Sequence, residues 1–253
     1  MRVSVITACL NSAETIGQCL ESMSSQKYGD VEHIIIDGGS EDGTQDIIRE
    51  HSRSVAKFVS EPDSGVYDAL NKGIAMATGD VVGVLHADDV FEDERVIADV
   101  ADAFERSGAD TCYGDLVYVA RDNVDRIVRR WKSGVCRPGH FRSRGWMPPH
   151  PAFFVRREVY ERFGLFDTRF RIAADYELML RLLVRHRVST CYVPRVLVRM
   201  RTGGTSAPRI RTLLRTFSED HRAWKVNGFP ASVLTVAAKK LRKLAQYFPG
   251  LSR

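Results

Sequence analysis

Acidic residues follow several apolar runs of this sequence. The run 81–85 is followed closely by Asp88 and Asp89, Asp37 closes the run 32–37, and Asp63 comes shortly after the run 55–60. Two adjacent carboxylates repel each other, and removing them from water is costly unless a positive group lies beside them. The sequence therefore predicts a positively charged partner at Asp88 and Asp89.

The elements that must position these acids alternate along the first half of the chain. Short apolar, β-rich runs occupy 2–7, 32–37, 55–60 and 81–86, with helical patterns between them and at 95–106. Strands that alternate with helices through short links predict an α/β fold with a mostly parallel central sheet and flanking helices. Ligands bind such sheets at the carboxyl ends of the strands, so the acids are expected to converge on one edge.

Local signals refine this outline. Asn11 followed by Glu14 has the spacing of a capping box and predicts a helix start at that point. The second half is less regular: it predicts a hairpin over 113–131, a loop over 133–151 and an amphipathic helix over 173–186.

Composition and charge exclude some classes of protein. The chain has 253 residues, of which 44% are hydrophobic, and no apolar run reaches the length of a transmembrane helix. Five cysteines without a CxxC pattern are typical of reduced thiols in a cytoplasmic protein. Residues 209–253 carry ten Lys or Arg and two Asp or Glu, so the net charge of +5 arises from this tail. Because the rest of the chain has no excess of positive charge, it is not expected to bind nucleic acid.

The order of the motifs resembles one known family. The matching segments, in chain order, are VSVITACLN, IIIDGGSEDGT, SEPDSGVYDALNKGIAMATGD, VLHADD, HPAFFVRREVYERFGLFDTRFRIAADYELMLR and GGTS. Together they resemble a family 2 glycosyltransferase of the GT-A (Rossmann-like) fold, from the bacterial branch that assembles surface glycans, over about residues 2–206. The resemblance implies an inverting transferase that uses a nucleotide-diphosphate sugar, favouring UDP over GDP or dTDP, and Mn²⁺ or Mg²⁺.

The same resemblance implies a metal site at Asp88 and Asp89. A hard divalent cation prefers oxygen ligands and would neutralise both the carboxylates and the donor diphosphate. The family's first acid is replaced here by His86, a position that tends to face the ribose. Which of the two aspartates ligates the metal stays open at this point.

Further residues are expected beside the nucleotide. By resemblance, Asp37 recognises the base, and Asp63 and Asp68 line the donor pocket. The remaining expected donor contacts are Ala8, Asn11, Lys72, His86 and Asp88. Each acid also has a structural alternative: Asp37 as a turn residue, Asp63 as a helix cap, and Asp68 in an ion pair with Lys72.

Catalysis and acceptor binding are expected in the second half. By resemblance, Asp175 is the general base that takes a proton from the acceptor hydroxyl, the alternative being a helix N-cap. His150 and Trp146 are expected on the acceptor side, although a loop tryptophan packs in the core as often as it stacks on a sugar.

These expectations divide the chain into a glycosyltransferase domain at 1–208 and a basic helical tail at 209–253. The domain comprises a nucleotide-sugar half at about 1–115 and an acceptor half at about 116–208. The stretch 231–248 reads as a basic amphipathic helix, which is typical of a membrane surface, so the protein is expected in the cytoplasm on the inner face of the membrane beside a glycan or lipid-linked acceptor.

Two other functions stay open on sequence alone. A sugar-phosphate nucleotidyltransferase is disfavoured because residues 7–18 contain one glycine and no Lys or Arg. A non-catalytic sugar-nucleotide binder is favoured by His86 and disfavoured by the presence of Asp88, Asp89 and Asp175 together.

Overall fold

One mixed sheet runs through the computed structural model, which describes residues 1–137, 139–203 and 210–230. Its strands are β1 (Val3–Cys9), β2 (Val31–Asp37), β3 (Lys57–Ser60), β4 (Val81–Val84), β5 (Asp89–Phe91), β6 (Thr111–Val119), β7 (Ile127–Trp131), β8 (Phe153–Arg156) and β9 (Thr190–Arg201). The helices are α1 (Ile16–Ser24), α2 (Thr44–Glu50), α3 (Val66–Met76), α4 (Val96–Ser107), α5 (His140–Arg144), α6 (Arg157–Phe163), α7 (Ala174–Met179) and α8 (Ile210–Val226). The α/β fold with flanking helices is confirmed.

The sheet is parallel where the sequence alternates strand and helix. Its order is β3-β2-β1-β4-β8-β6-β9-β5, with β7 paired to β6. The first four strands in this order are parallel to one another, and β6 is parallel to β9, whereas β8, β5 and β7 pair antiparallel. A short connection such as the β6–β7 hairpin can only join antiparallel strands, because a parallel pair needs a longer crossover.

Both faces of the parallel strands are covered. On β2, Ile34 and Ile36 pack into one apolar cluster with Leu70 of α3, while Ile35 packs into the other with Ile16 of α1. This alternation follows from the two-residue period of a strand. It explains why these strands read as continuous apolar runs.

The expected capping box at Asn11 is wrong. Helix α1 begins at Ile16 after Thr15 and has no side-chain cap. Asn11 instead has a φ of 47°, and its Oδ1 accepts a hydrogen bond from the Glu41 backbone N–H at 3.0 Å. Asparagine tolerates this left-handed conformation better than most residues, so Asn11 joins two loops of the sheet edge.

The segment 173–186, expected as one α-helix, forms two consecutive helical segments of different type. The α-helical part is α7, and residues Leu180–Arg185 form a π-helical segment. Arg181 lies in this segment and pairs with Glu177 at 3.0 Å, and its guanidinium also donates to the carbonyl oxygens of Phe163 and Leu165 at 2.5 and 2.6 Å. Arg181 therefore ties α7 to the end of α6.

No helix within residues 1–137, 139–203 and 210–230 is long and apolar enough to cross a membrane. The predicted amphipathic helix at 231–248 lies outside the described residues.

Gly73 lets α3 lie close to β1, and Gly17 on α1 is a comparison position with room for a methyl group beside it. A side chain at Gly73 would overlap Ile6 and come within 3.4 Å of Ile36, whereas a methyl group at Gly17 on α1 would meet only Ile47 at 3.9 Å. We expect Gly73→Ala to lower the free energy of unfolding by about 1–3 kcal/mol because the packed core cannot absorb the methyl group.

The matched variant Gly17→Ala should raise the free energy of unfolding by about 0.5–1 kcal/mol, because alanine favours a helix more than glycine does. Urea unfolding of both variants and the wild type measures the difference. A Gly73→Ala variant as stable as the wild type would contradict the close contact between α3 and β1.

Candidate functional site

The carboxyl ends of β1, β2 and β3 lie side by side. The register aligns Cys9 with Asp37 and Asp37 with Ser60. Asp37 is fully buried, and its Oδ2 accepts hydrogen bonds from the Ser60 hydroxyl at 2.7 Å and from the Ser40 and Gly39 backbone N–H groups at 3.0 and 3.2 Å. Burial raises the pKa of this carboxyl group, but the hydrogen bonds outweigh it and the net pKa is lowered.

Asp37 therefore plays the turn role that the sequence left as an alternative. Its carboxylate is surrounded by protein donors in this structure, and its contact with a nucleobase stays a prediction. Ala8 is 8% exposed and packs in the apolar cluster beneath the edge, so its predicted donor contact also stays a prediction.

Asp63 is the acid of this edge that stays accessible. It is half-buried, and its Oδ1 accepts a hydrogen bond from the Gly65 backbone N–H at 2.8 Å. Its Oδ2 lies 2.6 Å from the position that a side chain on Gly38 would occupy. Gly38 thus makes room for Asp63 at the end of β2. Asp63 lies two residues before the N-cap position of α3, Gly65, and is not itself the cap.

Asp68 and Lys72 form the expected pair on α3. Their charged atoms are 3.8 Å apart, and the Lys72 ammonium group is closer to Glu61, at 2.7 Å. Asp68 also accepts a hydrogen bond from the Ser64 backbone N–H at 3.0 Å. Both side chains are therefore engaged within the segment that leads into α3.

The two aspartates after β4 differ in environment. Asp88 is half-buried, whereas Asp89 is fully buried. Asp89 Oδ1 accepts a hydrogen bond from the Arg201 backbone N–H at 3.3 Å, and its Oδ2 has no partner within the described part of the chain. Burial, followed by the charge of Asp88, raises the pKa of Asp89 well above its ordinary value.

Asp88 carries the more exposed carboxylate of this pair. Its negative charge acts to raise the pKa of the nearby His86 imidazole, against the larger effect of burial. Among the described residues no three His, Cys, Asp or Glu side chains form a metal cage. A divalent cation would therefore bind Asp88 and take its other oxygens from the ligand, which fits Mg²⁺ or Mn²⁺ on a diphosphate.

Arg201 is the positive group beside the acid pair, and the sequence did not single it out. Its side chain is buried, and its guanidinium donates to the Asp88 carbonyl oxygen at 2.6 Å, to the Arg121 carbonyl oxygen at 3.3 Å and to the Gln18 side chain. It thus holds the backbone of the turn through the Asp88 carbonyl oxygen.

Two histidines, one following β4 and one preceding β8, lie side by side. The rings of His86 and His150 have centroids 5.7 Å apart, and His150 also meets the edge of Phe166. Burial lowers the pKa of His150 to about 4, so it is neutral at physiological pH. Burial also lowers the pKa of His86, while the charges of Asp88 and Asp175 raise it.

Asp175 lies in the first turn of α7 and is half-buried. The N-cap position belongs to Ala173, so the alternative role of Asp175 as a helix cap is wrong. The Tyr67 hydroxyl lies 3.4 Å from Asp175 Oδ1 and donates its proton to the Ile172 carbonyl oxygen at 2.8 Å. One carboxylate oxygen of Asp175 thus points toward α3, which carries the donor-side residues.

Trp146 takes the core position that the sequence left as an alternative to the acceptor side. It is 1% exposed, its Nε1 donates to the Ser133 carbonyl oxygen at 2.8 Å, and its ring packs edge-on against Tyr113 and Phe141. The loop over 133–151 therefore buries its tryptophan in the core.

The structure brings together His86, Asp88, His150 and Asp175.

The chain is similar in sequence to proteins named as glycosyltransferases. The family description Glycosyl transferase family 2 matches residues 4–168. A PGL/p-HBAD biosynthesis glycosyltransferase of Mycobacterium tuberculosis is 31% identical over 202 residues, which cover 75% of this chain and 73% of the relative. An uncharacterized glycosyltransferase of the same species is 35% identical over 185 residues, which cover 71% and 68%.

Solved structures share the fold at lower identity. Residues 1–349 of S. aureus TarS, in complex with UDP-GlcNAc, match 97% of this chain and 73% of that chain with a TM-score of 0.68 and 13% identity. This chain spans 44% of the longer TarS chain. The mannosyltransferase PcManGT from Pyrobaculum calidifontis, in complex with GDP-Man and Mn²⁺, matches 99% and 73% with a TM-score of 0.67 and 20% identity.

These likenesses confirm the GT-A fold that the sequence predicts. Together with the family match and the named relatives, they show that this chain is a glycosyltransferase and belongs to glycosyltransferase family 2.

Proposed function

We propose that this glycosyltransferase moves a sugar from a nucleotide-diphosphate sugar to an acceptor hydroxyl with inversion at the anomeric carbon. The observation that supports the proposal is the placement of two half-buried carboxylates, Asp88 between β4 and β5 and Asp175 in the first turn of α7. The charges of both act on His86, opposing the burial that lowers the pKa of its ring. One carboxylate can thus serve the diphosphate while the other serves the acceptor.

Asp88 is the residue that would hold Mn²⁺ or Mg²⁺. When bound, the cation neutralises the diphosphate and makes the nucleoside diphosphate a better leaving group. Asp89 supports this site through the Arg201 backbone and does not ligate. Asp63 lines the nucleoside side of the pocket, because it is the accessible acid at the ends of β2 and β3.

Asp175 takes the proton from the acceptor hydroxyl as the oxygen attacks the anomeric carbon. A sugar hydroxyl is a weak nucleophile without such help, and a positioned carboxylate contributes typically about 10²–10⁴-fold. Direct attack on the face opposite the leaving group inverts the configuration. The rings of His86 and His150 lie side by side near this carboxylate, and burial lowers the pKa of both.

The donor and acceptor follow from chemistry and relatives together. UDP is the favoured nucleotide, and GDP stays a candidate because the solved neighbours bind UDP-GlcNAc and GDP-Man. The acceptor is a glycan or lipid-linked molecule, and residues 231–248 would bring the enzyme to the membrane surface from the cytoplasm.

Donor hydrolysis is the direct test of this function. Purified protein is incubated with UDP-, GDP- and dTDP-sugars in Mn²⁺, Mg²⁺ or EDTA, and released nucleoside diphosphate is measured. Slow release from one donor that EDTA abolishes supports the proposal. Release of pyrophosphate would indicate a nucleotidyltransferase, and donor-induced thermal stabilisation without any release would indicate a binder.

The acid pair gives the first prediction for this site. Asp88→Asn should lower metal-dependent donor hydrolysis about 100-fold or more, since it replaces a charged carboxylate ligand with a neutral amide that binds a hard cation less well. Asp89→Asn should stay within about threefold of the wild type, because an amide oxygen can still accept the Arg201 backbone hydrogen bond.

Initial rates at saturating donor, measured over a Mn²⁺ titration, separate the two variants. The assignment of the metal to Asp88 is wrong if Asp89→Asn loses activity and Asp88→Asn keeps it.

The base gives the second prediction. Asp175→Asn should lower the turnover of donor hydrolysis about 10²–10⁴-fold, because the amide cannot accept the proton. Donor affinity, read from thermal shifts with nucleotide and Mn²⁺, should stay as in the wild type.

Asp122→Asn provides the control, since Asp122 is an exposed acid that pairs with Arg126 on the β6–β7 turn. Equal turnover in all three proteins would exclude Asp175 as the base.

A further inference from the structure

A buried carboxylate from α8 binds the backbone just before α7. Glu219 Oε2 accepts hydrogen bonds from three consecutive N–H groups, those of Arg171, Ile172 and Ala173, at 3.1, 2.8 and 3.0 Å. The Arg171 N–H also lies 3.3 Å from Oε1. Glu219 is 8% exposed, so water competes little for these bonds.

These bonds fix the chain as it enters α7. The N-cap position holds Ala173, and α7 has no side-chain cap of its own. Glu219 binds the N–H of Ala173 and those of the two residues before it, so it orders the segment that precedes the first helical turn. Bonds from N–H groups to a charged acceptor are stronger than neutral ones, and a negative charge at a helix start is favourable. Glu219 therefore fixes the entry to α7 from 46 to 48 residues downstream.

The backbone of Ile172 is also held from the side of α3. The Ile172 N–H donates to Glu219, and the Ile172 carbonyl oxygen accepts the proton of Tyr67 at 2.8 Å. Tyr67 belongs to α3, which carries Asp68 and Lys72 of the donor segment. The backbone three residues before Asp175 is thus clamped between α3 and α8.

Helix α8 is itself kept in register with α7. The indole N–H of Trp224 donates to the Tyr176 hydroxyl at 3.0 Å, and the Asn227 side-chain amide donates to Glu177 at 3.1 Å. Both Trp224 and Asn227 are buried. Tyr176 and Glu177 directly follow Asp175, so contacts from α8 reach the chain on both sides of that residue.

We propose that Glu219 is a positioning residue for Asp175: it sets the start of α7 so that the carboxylate of Asp175 meets the acceptor hydroxyl. This inference rests on the proposed role of Asp175 as the general base. A small displacement of a reacting group can cost about 100-fold in rate. Helix α8 thereby takes part in catalysis without contacting the substrate.

The test compares full-length Glu219→Gln, Arg215→Ala and Asp175→Asn with the wild type in the donor-hydrolysis assay. Glutamine keeps the shape of Glu219 but loses its charge and puts an NH₂ group in place of one of the two acceptor oxygens. Turnover should fall about 10- to 100-fold while the KM for the donor stays within about twofold. Arg215→Ala is the matched control, because it removes the exposed ion-pair partner of Glu219 at 3.3 Å and leaves the carboxylate in place.

Amide hydrogen exchange gives an independent readout of the same contact. The N–H groups of Arg171, Ile172 and Ala173 should exchange faster in Glu219→Gln than in the wild type and Arg215→Ala, with the exchange of β1 and β2 unchanged. Faster exchange together with lower turnover supports the proposal. Unchanged turnover overturns it, whatever the exchange shows, since Glu219 would then be only structural.

The design also separates this inference from the function on which it rests. If Asp175→Asn keeps full turnover, the proposed base is wrong and the positioning role falls with it. If Asp175→Asn is inactive while Glu219→Gln is as active as the wild type, the base stands and only the role of Glu219 is rejected.

Discussion

The buried guanidinium of Arg201 is the interaction on which the site depends. It comes from the last strand, β9, yet it binds the Asp88 carbonyl oxygen and the Gln18 side chain, which belong to the first half of the chain. A buried charge is tolerated only with such partners, and here they are mostly backbone oxygens. The guanidinium thus binds the main chain of Asp88 and fixes the turn that carries its carboxylate. Asp89 stays enclosed beside the Arg201 backbone, so the acid pair presents one accessible carboxylate.

The sequence predicts the parallel part of this fold well because the evidence there is local. Apolar runs such as 32–37 are buried on both faces, and this makes them continuous and easy to recognise. The antiparallel pairings of β8 and β5 could not be predicted, since they join segments far apart in the chain and leave no periodic pattern. The capping box at Asn11 fails for a related reason: the loop after β2 offers its side chain a better partner in the Glu41 N–H.

The sequence analysis identified the residue types of the site more successfully than it identified the role of each residue. Asp88 and Asp175 are accessible as the motifs suggest, whereas Asp37 and Trp146 are buried and satisfied by hydrogen bonds. A sequence motif cannot tell an acid that faces a ligand from one that closes a turn, because both stand at the end of a strand. Arg201 and Glu219 carry no motif at all. Each acts through backbone groups that lie far from it in sequence, and only the folded chain reveals those contacts.

The position of β9 in the sheet has a consequence for how the protein folds. It pairs with β6 and with β5, strands that precede it by about 80 and 110 residues, and Arg201 and Gln18 are 183 positions apart. During synthesis the four parallel strands emerge first and can form their local helix–strand contacts. The turn at Asp88 gains its supports only when nearly the whole sequence up to β9 has left the ribosome. Contacts of such high sequence separation slow folding. In a nascent chain the parallel strands can therefore pair before the turn at Asp88 has its contacts with β9.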